Sequence, residues 1–261
     1  MRNKTALITG ASSGIGKELA HIHAEKGGDL IIVARSEGKL EALKSALESE
    51  YGVEVIVIGK DLTQSDAASE LYEEVKQAGV RVDYLINNAG FGGRGKFHER
   101  PWEQDLAMLN LNVVALTALT RFFLPDFVKR NKGKILNVSS TASLMPGPLQ
   151  AVYYASKAYV TSFSNALAEE LHDTNVTVTA LMPGATETDF GRTSGMDKTS
   201  MFEKTASARS VAEDGYDGML TGKLDVISGV TLPQRMLLSA VSVTPKRVLL
   251  RQIRQMQEVE G

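Results

Sequence analysis

The alternation of short apolar runs with segments of helical spacing is the feature that most constrains the fold of this chain. Seven runs rich in Val, Ile and Leu are separated by stretches whose apolar residues recur every three or four positions. The runs are Ala6–Thr9, Leu30–Ala34, Val53–Gly59, Val82–Asn87, Lys134–Val138, Val176–Leu181 and Leu224–Ile227. Runs that are apolar throughout are typical of strands covered on both faces. The alternation therefore predicts an α/β fold with one doubly wound parallel β-sheet and helices on both faces.

Helical spacing fills the stretches between the runs. Helices are predicted at Gly16–Lys26, Lys39–Tyr51, Ser65–Ala78, Glu103–Arg130, Val152–His172 and Ser210–Thr221. Residues 184–208 are rich in Gly, Thr, Ser and Asp and are predicted to form a long loop. After Gly229, apolar pieces near Pro233 and Pro245 predict two short helices, because proline suits the first turn of a helix.

Composition excludes several kinds of site. The 261 residues include no cysteine, which excludes disulfides, thiolate metal sites and cysteine nucleophiles. The four histidines, at positions 21, 23, 98 and 172, form no constellation with nearby acids, so we expect no metal ion. Acidic and basic residues are mixed along the chain and sum to a net charge of −2, which gives no nucleic-acid footprint.

The apolar runs are short compared with membrane-spanning or secretory segments. No stretch approaches the ~20 apolar residues of a membrane span. The apolar run near the N-terminus, Ala6–Ile8, is much shorter than the core of a signal peptide. We therefore expect a cytoplasmic protein that makes no membrane contact.

A glycine-rich turn follows the first predicted strand. Gly10, Gly14 and Gly16 lie between this strand and the first helix, in the segment Thr9-Gly-Ala-Ser-Ser-Gly-Ile-Gly16. Glycines at such a junction permit a tight turn and a close approach of the backbone to a pyrophosphate at the helix N-terminus. The spacing differs from the common G-x-G-x-x-G, and a plain structural turn is the alternative. The position at the first strand–helix junction favours a dinucleotide site and a Rossmann-like sheet.

The end of the second strand bears on which dinucleotide is bound. Proteins that select NAD place an acid near this point to bind the ribose 2′-hydroxyl. This chain has Arg35 there instead, and its fork of donors suits a 2′-phosphate. An arginine solvated at a strand end is the alternative. Asp61 and Leu62 follow the third strand, where they could lie beside the adenine, although Asp61 could equally cap the next helix.

A tyrosine and a lysine share one face of the sixth predicted helix. Tyr153 and Lys157 are four residues apart, and a neighbouring ammonium stabilises a phenolate and lowers the tyrosine pKa. Such a phenol is a usable acid near neutral pH. Tyr154 lies three residues before Lys157 and is a rival on spacing alone. The fifth strand ends at Ser139 and Ser140, whose hydroxyls could hold a carbonyl oxygen.

These motifs together resemble a known family. Thr9-Gly-x-x-x-Gly-Ile-Gly16, Asn87-Asn-Ala-Gly90, Ser140, Tyr153-x-x-x-Lys157 and Pro183-Gly184 occur in the order found in the classical short-chain dehydrogenases/reductases. The likeness runs from residue 5 to about residue 190, and five motifs in sequence are far more specific than any one. The resemblance implies a Rossmann-like NADP-binding catalytic domain over residues 1–261. Within it we expect a substrate loop at about 185–208 and a helical extension at about 231–261.

The resemblance also implies roles for single residues. Tyr153 is expected to be the catalytic acid/base, and Lys157 to lower its pKa and bind the nicotinamide ribose. Ser140 is preferred to Ser139 because it lies thirteen residues before Tyr153, the family's usual separation. Asn112 is preferred to Asn110 as the residue that holds a proton-relay water. The expected cofactor-binding set is Gly10, Ser12, Ser13, Gly14, Ile15, Gly16, Arg35, Asp61, Leu62, Asn88, Ala89, Gly90, Tyr153, Lys157, Pro183, Gly184, Thr186 and Thr188.

The implied activity is an NADP(H)-dependent oxidoreductase that interconverts a carbonyl and a secondary alcohol, with NADP(H) preferred over NAD(H). Ser13 departs from the family pattern, because many NADP-preferring members have a basic residue there, so the preference depends mainly on Arg35. Phe190, Met196, Met201 and Phe202 would give the substrate loop an apolar inner face, which suits an apolar or ketoacyl-type substrate. A non-catalytic NADP-binding sensor, and an isomerase, dehydratase or epimerase using the same cofactor, are the alternatives.

The C-terminal extension has three interpretations. It could pack on the substrate pocket, contact another subunit, or dock on an anionic membrane. The first two are preferred because Met236, Leu237, Val248 and Leu249 suit a helix packed on protein. The helices around Asn112 and Tyr153 resemble those through which family members dimerise, so a homodimer or homotetramer is expected.

Overall fold

The computed structural model describes residues 4–197, 199, 202–241 and 243–258. Its strands are β1 (Thr5–Thr9), β2 (Asp29–Ala34), β3 (Val55–Gly59), β4 (Val82–Asn87), β5 (Gly133–Val138), β6 (Val176–Pro183), β7 (Thr186–Glu187), β8 (Ala206–Ser207) and β9 (Asp225–Ser228). Seven of them form one sheet in the order β3-β2-β1-β4-β5-β6-β9, and every pairing in it is parallel. The predicted fold class is therefore confirmed. The strand order reverses between β1 and β4, which is where ligands bind in such sheets.

Ten α-helices connect and flank the strands of the described chain. They are α1 (Gly14–Glu25), α2 (Glu37–Tyr51), α3 (Ala67–Gln77), α4 (Trp102–Leu109), α5 (Leu116–Lys129), α6 (Ala151–Glu170), α7 (Asp189–Ser194), α8 (Ala208–Thr221), α9 (Leu232–Ala240) and α10 (Lys246–Gln257). The pair α9 and α10 confirms the two C-terminal helices predicted from Pro233 and Pro245.

Two apolar cores lie on the two faces of the sheet. Successive side chains of a strand point to opposite faces. In β1, Ala6 and Ile8 pack with α1, α2 and α8, whereas Leu7 packs with α3, α5 and α6. The continuous apolar runs of the sequence thus follow from burial on both faces of the sheet.

The segment predicted as a long loop has more regular structure than expected. Thr186–Glu187 pairs with Ala206–Ser207, and Thr188 begins a six-residue helix by accepting a hydrogen bond from the backbone N–H of Phe190. Gly195 then ends this helix in the left-handed backbone region, with a φ of 71°. Hydrophobic periodicity cannot detect a helix that is shorter than two turns.

The predicted helix Glu103–Arg130 forms, but a π-helical segment, Asn110–Ala115, interrupts it between α4 and α5. By length and composition, Trp102–Lys129 is also apolar enough to cross a membrane, contrary to the expectation that no stretch is. Its buried side chains, among them Leu119, Phe123 and Phe127, pack in the core beneath the sheet.

The C-terminal helices pack unevenly. Leu249 is buried as expected, whereas Met236, Leu237 and Val248 are exposed, contrary to the expectation that all four pack on protein. Among the described residues, no side chain of α9 is buried, whereas one face of α10 is buried.

A buried histidine in α1 makes stability depend on pH. The ring of His23 bonds the Tyr216 hydroxyl at 2.7 Å and the Lys4 carbonyl at 3.1 Å, and burial lowers the pKa of His23 to about 4. Between about pH 6.5 and pH 4, His23 is protonated in the unfolded chain and neutral in the folded chain. As the pH falls through this range, the free energy of unfolding of wild type should decrease by on the order of 3 kcal/mol. His23→Gln should not show this decrease.

Urea unfolding at a series of pH values measures this difference. His172→Gln, at an exposed histidine, is the matched control and should follow wild type throughout. Parallel pH profiles for wild type and His23→Gln would show that the buried ring does not set acid stability.

Candidate active site

A cavity of about 570 Å³ opens at the carboxyl ends of the strands, across the point where the strand order reverses. It brings together every residue predicted for the site except Gly16 and Asn112, which lie just behind its wall. The predicted residues that line it are Gly10, Ser12, Ser13, Gly14, Ile15, Arg35, Asp61, Leu62, Asn88, Ala89, Gly90, Ser140, Tyr153, Lys157, Pro183, Gly184, Thr186 and Thr188.

The glycine turn is locked by an amide from the neighbouring strand. Asn88 Nδ2 donates to the carbonyl oxygens of Thr9 at 2.9 Å and of Gly10 at 3.2 Å. Gly10 has a φ of 68°, and a Cβ atom there would lie 2.8 Å from the Asn88 amide. At Gly16 a Cβ atom would collide with the Gly10 carbonyl oxygen and the same amide. The turn has no room for side chains at these positions, which leaves its backbone open towards the cavity.

Arg35 and Asp61 follow the carboxyl ends of β2 and β3. Arg35 is exposed at the end of β2, and it forms no ion pair within the described ranges. Asp61 accepts hydrogen bonds from the backbone N–H of Thr63 at 3.1 Å and from its hydroxyl at 2.9 Å. Asp61 therefore closes a turn ahead of α3 and is not the cap of that helix, which begins at Ala67. Its position beside Leu62 on the cavity wall fits the expected adenine end.

The structure separates Tyr153 from its rival Tyr154. Ser140 and Tyr153 line the same cavity, and the Ser140 side chain acts to lower the Tyr153 pKa. The Tyr154 hydroxyl accepts a hydrogen bond from Gln257 Nε2 at 2.9 Å, so it is engaged with the C-terminal helix. Ser139 is likewise engaged, since its hydroxyl donates to the Lys157 carbonyl at 2.9 Å. The Ser140 hydroxyl accepts from the Ala142 N–H at 3.1 Å and donates to the Pro183 carbonyl at 3.5 Å, at the edge of hydrogen-bond range.

Lys157 lies behind the tyrosine ring. Its ammonium is 6.0 Å from the centroid of the Tyr153 ring and donates to the Val138 carbonyl at 2.9 Å. Burial lowers the pKa of Lys157 to about 8. Burial also raises the pKa of Tyr153 to about 12, a shift that only the Ser140 side chain opposes. Desolvation of the phenolate therefore raises the pKa of Tyr153 in this structure, opposite in direction to the lowering expected from Lys157.

Asn112 occupies the π-helical segment. Its Nδ2 donates to the Phe91 carbonyl at 2.9 Å and to the Ser156 hydroxyl at 3.1 Å, and its Oδ1 accepts from the Phe91 N–H at 3.1 Å. A Cβ atom at Gly90 would lie 3.0 Å from Asn112 Oδ1 and 3.3 Å from the Lys157 ammonium. Asn110, the alternative, instead donates to the Thr63 carbonyl at 3.1 Å. Of the two asparagines, Asn112 is therefore the one beside the lysine.

Comparison with known proteins assigns the chain to a family. A family model described as short chain dehydrogenase matches residues 4–199. The chain belongs to the short chain dehydrogenase family. A short chain dehydrogenase of Pseudocercospora fijiensis is 35% identical over 193 residues, which cover 73% of this chain and 62% of that protein. An NADP-dependent 3-hydroxy acid dehydrogenase of Schizosaccharomyces pombe is 36% identical over 192 residues, which cover 72% of this chain and 73% of that protein.

Solved structures of family members superpose along nearly the whole chain. A short-chain dehydrogenase from Sphingobium yanoikuyae in complex with NADPH is 31% identical with a TM-score of 0.83, covering 98% of this chain and 99% of that one. A bulky-bulky ketone specific alcohol dehydrogenase from Comamonas testosteroni is 29% identical with a TM-score of 0.79, covering 100% and 98%. Against several curated relatives, however, the match spans only 58–62% of their length.

This short chain dehydrogenase has a cavity that fits a nicotinamide cofactor. The glycine turn offers backbone for a pyrophosphate, and Thr188 lies against Gly14, where a Cβ atom would be 2.9 Å from the threonine methyl group. The glycine turn and Thr188 are therefore in contact, and both would hold a bound dinucleotide. Within the described part of the chain, no group of three or more His, Asp or Glu residues is placed to hold a metal ion.

Several residues that line the cavity were not predicted from the sequence. Phe91 and Gln150 lie on the wall of the cavity near Tyr153, and Lys39 and Lys60 lie on the wall near Arg35. The two lysines could have been found, because charge follows the second and third predicted strands. Gln150 could not, since a lone amide before a helix has no distinctive pattern.

A buried lysine with a pKa of about 8 predicts an alkaline limb in the activity. As the pH rises through this value, Lys157 loses its proton. The positive charge behind the Tyr153 ring is then lost. We expect kcat/KM for carbonyl reduction to fall above about pH 8, since this ratio reports the pKa values of the free enzyme. Rates from about pH 6 to about pH 10 test this. A flat profile, or the same limb in the residual activity of Lys157→Met, would assign the limb to another group.

Proposed function

We propose that this short chain dehydrogenase is an NADP(H)-dependent oxidoreductase that interconverts a ketone and a secondary alcohol on an apolar or ketoacyl-type substrate. The observation that carries the proposal is that Ser140 and Tyr153 lie on the wall of the same cavity as the glycine turn. Lys157 supplies a buried cation behind them.

The described residues perform three tasks in carbonyl reduction. Ser140 and Tyr153 donate hydrogen bonds to the substrate oxygen and so place the carbonyl carbon beside the cofactor. A nicotinamide cofactor, when bound, would supply the hydride for this carbon. Tyr153, which is protonated at neutral pH because its pKa is about 12, transfers its proton to the oxygen as negative charge develops there. Lys157 stabilises the phenolate left on Tyr153, and Asn112 lies where a water could return the proton.

The preference for NADP(H) over NAD(H) is part of the proposal. Arg35 is exposed at the adenine end of the cavity, free of any ion pair in the described chain, and Lys39 lies on the same wall. A guanidinium there suits a 2′-phosphate better than a 2′-hydroxyl. In support, the Sphingobium yanoikuyae enzyme and an L-sorbose reductase from Gluconobacter frateurii were each solved with NADPH. Lys39 offers a cation in place of the basic residue that Ser13 does not supply.

Arg35 provides the test of that preference. Arg35→Ala is expected to raise the KM for NADPH by about tenfold to a hundredfold, the value of a charge-assisted hydrogen bond to a phosphate, and to leave the KM for NADH within about twofold. Steady-state kinetics with both cofactors measures the two effects. Arg121→Ala, at an exposed arginine of α5, is the matched control. Equal losses with NADPH and NADH would remove Arg35 as the selecting residue.

The substrate end of the cavity is apolar and aromatic. Phe91, Tyr154, Phe190, Met196 and Phe202 line it. The Phe190 ring lies 5.3 Å from the Tyr153 ring and 6.4 Å from the Phe202 ring, measured between centroids. Met201, also expected in the substrate loop, lies outside the described residues.

These rings favour a ketone with a bulky apolar body. The names of relatives support this choice: the Comamonas testosteroni enzyme is described as specific for bulky-bulky ketones, and a relative from Rattus norvegicus as a very-long-chain 3-oxoacyl-CoA reductase. The proposal is tested by following NADPH oxidation with a panel of aliphatic, aryl and 3-oxoacyl ketones. Tight NADPH binding without turnover of any carbonyl would contradict it and favour a cofactor sensor.

We also propose that the chain acts as one catalytic domain within a homodimer or homotetramer. Val114 and Tyr159 are exposed on the helices around Asn112 and Tyr153, and Tyr159 stacks on Phe163. An exposed apolar face on two adjacent helices suits a helix-to-helix subunit contact. Sedimentation analysis would test the oligomeric state.

A further inference from the structure

The C-terminal helix α10 reaches the substrate end of the cavity through one glutamine. Leu249, Ile253 and Gln257 form its buried stripe, four residues apart, and Gln257 is fully buried. A glutamine at the third position of an otherwise apolar stripe loses its hydration and must be compensated by hydrogen bonds. Both side-chain hydrogen bonds of Gln257 run to residues that line the cavity.

Gln257 binds Gln150 and Tyr154, which lie before and after Tyr153 in the sequence. Its Nε2 donates to the Tyr154 hydroxyl at 2.9 Å, and its Oε1 accepts from Gln150 Nε2 at 3.1 Å. Its backbone carbonyl accepts from Arg94 Nε at 2.6 Å, which ties the loop after β4 to the same point. Gln150 and Tyr154 line the cavity. The end of α10 therefore sets the position of two side chains at the substrate end.

Gln150 has one hydrogen-bonding atom left over. Its Nε2 is used twice, by Gln257 and by the Met196 sulfur at 3.0 Å. Its Oε1 is buried and has no hydrogen-bond partner among the described residues. A buried acceptor without a partner is unfavourable, so a ligand donor at this position would supply the missing hydrogen bond.

The backbone before Gln150 is strained as well. Leu149 has a φ of 66°, which is rare for a bulky residue, and its carbonyl accepts from the Gly95 N–H at 2.8 Å. Such strain occurs preferentially at ligand sites. The strained residue precedes Gln150, which is the N-cap residue of α6 and lies three residues before Tyr153.

We propose that Gln150, held by Gln257 of α10, is a substrate-recognition site for a hydrogen-bond donor on an otherwise apolar ketone. Its Oε1 accepts from a hydroxyl or N–H group remote from the carbonyl that Ser140 and Tyr153 bind. Gln150 binds the substrate, whereas Gln257 acts through Gln150 and is a positioning residue. The proposal rests on the proposed ketone reductase function and narrows its substrate class.

Matched ketones test the site. Aryl ketones are compared that carry a hydroxyl or a methoxy group at the same ring position, because methylation removes the donor and keeps the oxygen. Wild type should show a kcat/KM about tenfold higher for the best-placed hydroxyl compound than for its methoxy partner, mainly through a lower KM. Equal kcat/KM values at every ring position would overturn the proposal.

Variants assign that preference to the two glutamines. Gln150→Leu keeps the side-chain volume without the amide, so the hydroxyl and methoxy compounds should become equivalent substrates. Gln150→Asn shortens the side chain by one methylene group and should give the same result. It is the second variant to use if Gln150→Leu does not fold. Gln257→Leu should reduce the preference partway, and Gln255→Leu, exposed on the same helix, should leave it unchanged. A preference that survives in Gln150→Leu and Gln150→Asn would exclude Gln150.

Binding separates failure of this inference from failure of the proposed function. If no ketone is reduced, the proposed reductase activity is wrong, and the same compounds are then compared by the thermal shift that they produce in the NADP⁺-bound protein. A larger shift with the hydroxyl compound, lost in Gln150→Leu, would support the recognition site. Identical shifts for the two compounds would overturn it.

Discussion

Replacing Tyr153 with phenylalanine is expected to lower kcat for ketone reduction by about a hundredfold to ten-thousandfold, the range that general acid catalysis contributes. The substitution removes only the hydroxyl and leaves the ring in its contact with Phe190. NADPH affinity should therefore stay within about twofold of wild type. Steady-state kinetics and NADPH fluorescence titration measure the two quantities.

Tyr159→Phe is the matched control for this prediction. It makes the same chemical change on the same helix, at a partly exposed tyrosine whose hydroxyl bonds Thr117 at 2.9 Å. Its turnover should equal that of wild type. Tyr154→Phe should alter the KM for bulky ketones more than kcat, because Tyr154 meets Gln257 and not Ser140. Retained turnover in Tyr153→Phe, or a larger loss of kcat in Tyr154→Phe, would contradict the assignment of the acid.

Replacing Gly16 with alanine is expected to weaken NADPH binding by at least about tenfold and to lower the melting temperature. The added methyl group would collide with the Gly10 carbonyl oxygen, which is backbone and cannot turn aside. Overpacking of this kind costs about 1–3 kcal/mol, and relieving it moves α1 away from the turn that holds the pyrophosphate. Fluorescence titration with NADPH and thermal unfolding measure the two effects.

Gly38→Ala is the control for the glycine substitution. Gly38 lies in α2, and a Cβ atom there would meet nothing within 4 Å. Alanine at this position should raise stability by about 0.5–1 kcal/mol through its better helix propensity and leave NADPH affinity unchanged. Wild-type NADPH affinity in Gly16→Ala would show that the close packing of α1 on the turn is not needed for the cofactor.

The sheet could be predicted because a strand buried on both faces has apolar residues at successive positions of the sequence. Ile31 and Ile32 face opposite cores, so their strand is apolar at every position and stands out from the amphipathic helices around it. The strand ends could be placed in the same way, and parallel strands bring these ends to one edge. The positions of Gly10, Arg35 and Ser140 on one cavity therefore followed from the alternation of strands and helices and from the family resemblance.

The short helix α7 and the π-helical turn at Asn112 could not be predicted. Each spans only six residues, too few for a periodic pattern to emerge. The exposure of Met236 and Leu237 was equally hidden, since an apolar residue in a sequence does not reveal whether a neighbouring element covers it.

The sequence by itself determined the fold class and the glycine turn, because burial on both faces and a tight turn each restrict the residues of a short segment. The choice of Tyr153 over Tyr154 came from the family resemblance. Only the tertiary structure decided that burial raises the pKa of Tyr153, and that Gln257 reaches Gln150 across more than a hundred residues of chain. Desolvation and long-range hydrogen bonds depend on what the folded chain packs around a group, and local sequence does not record those neighbours.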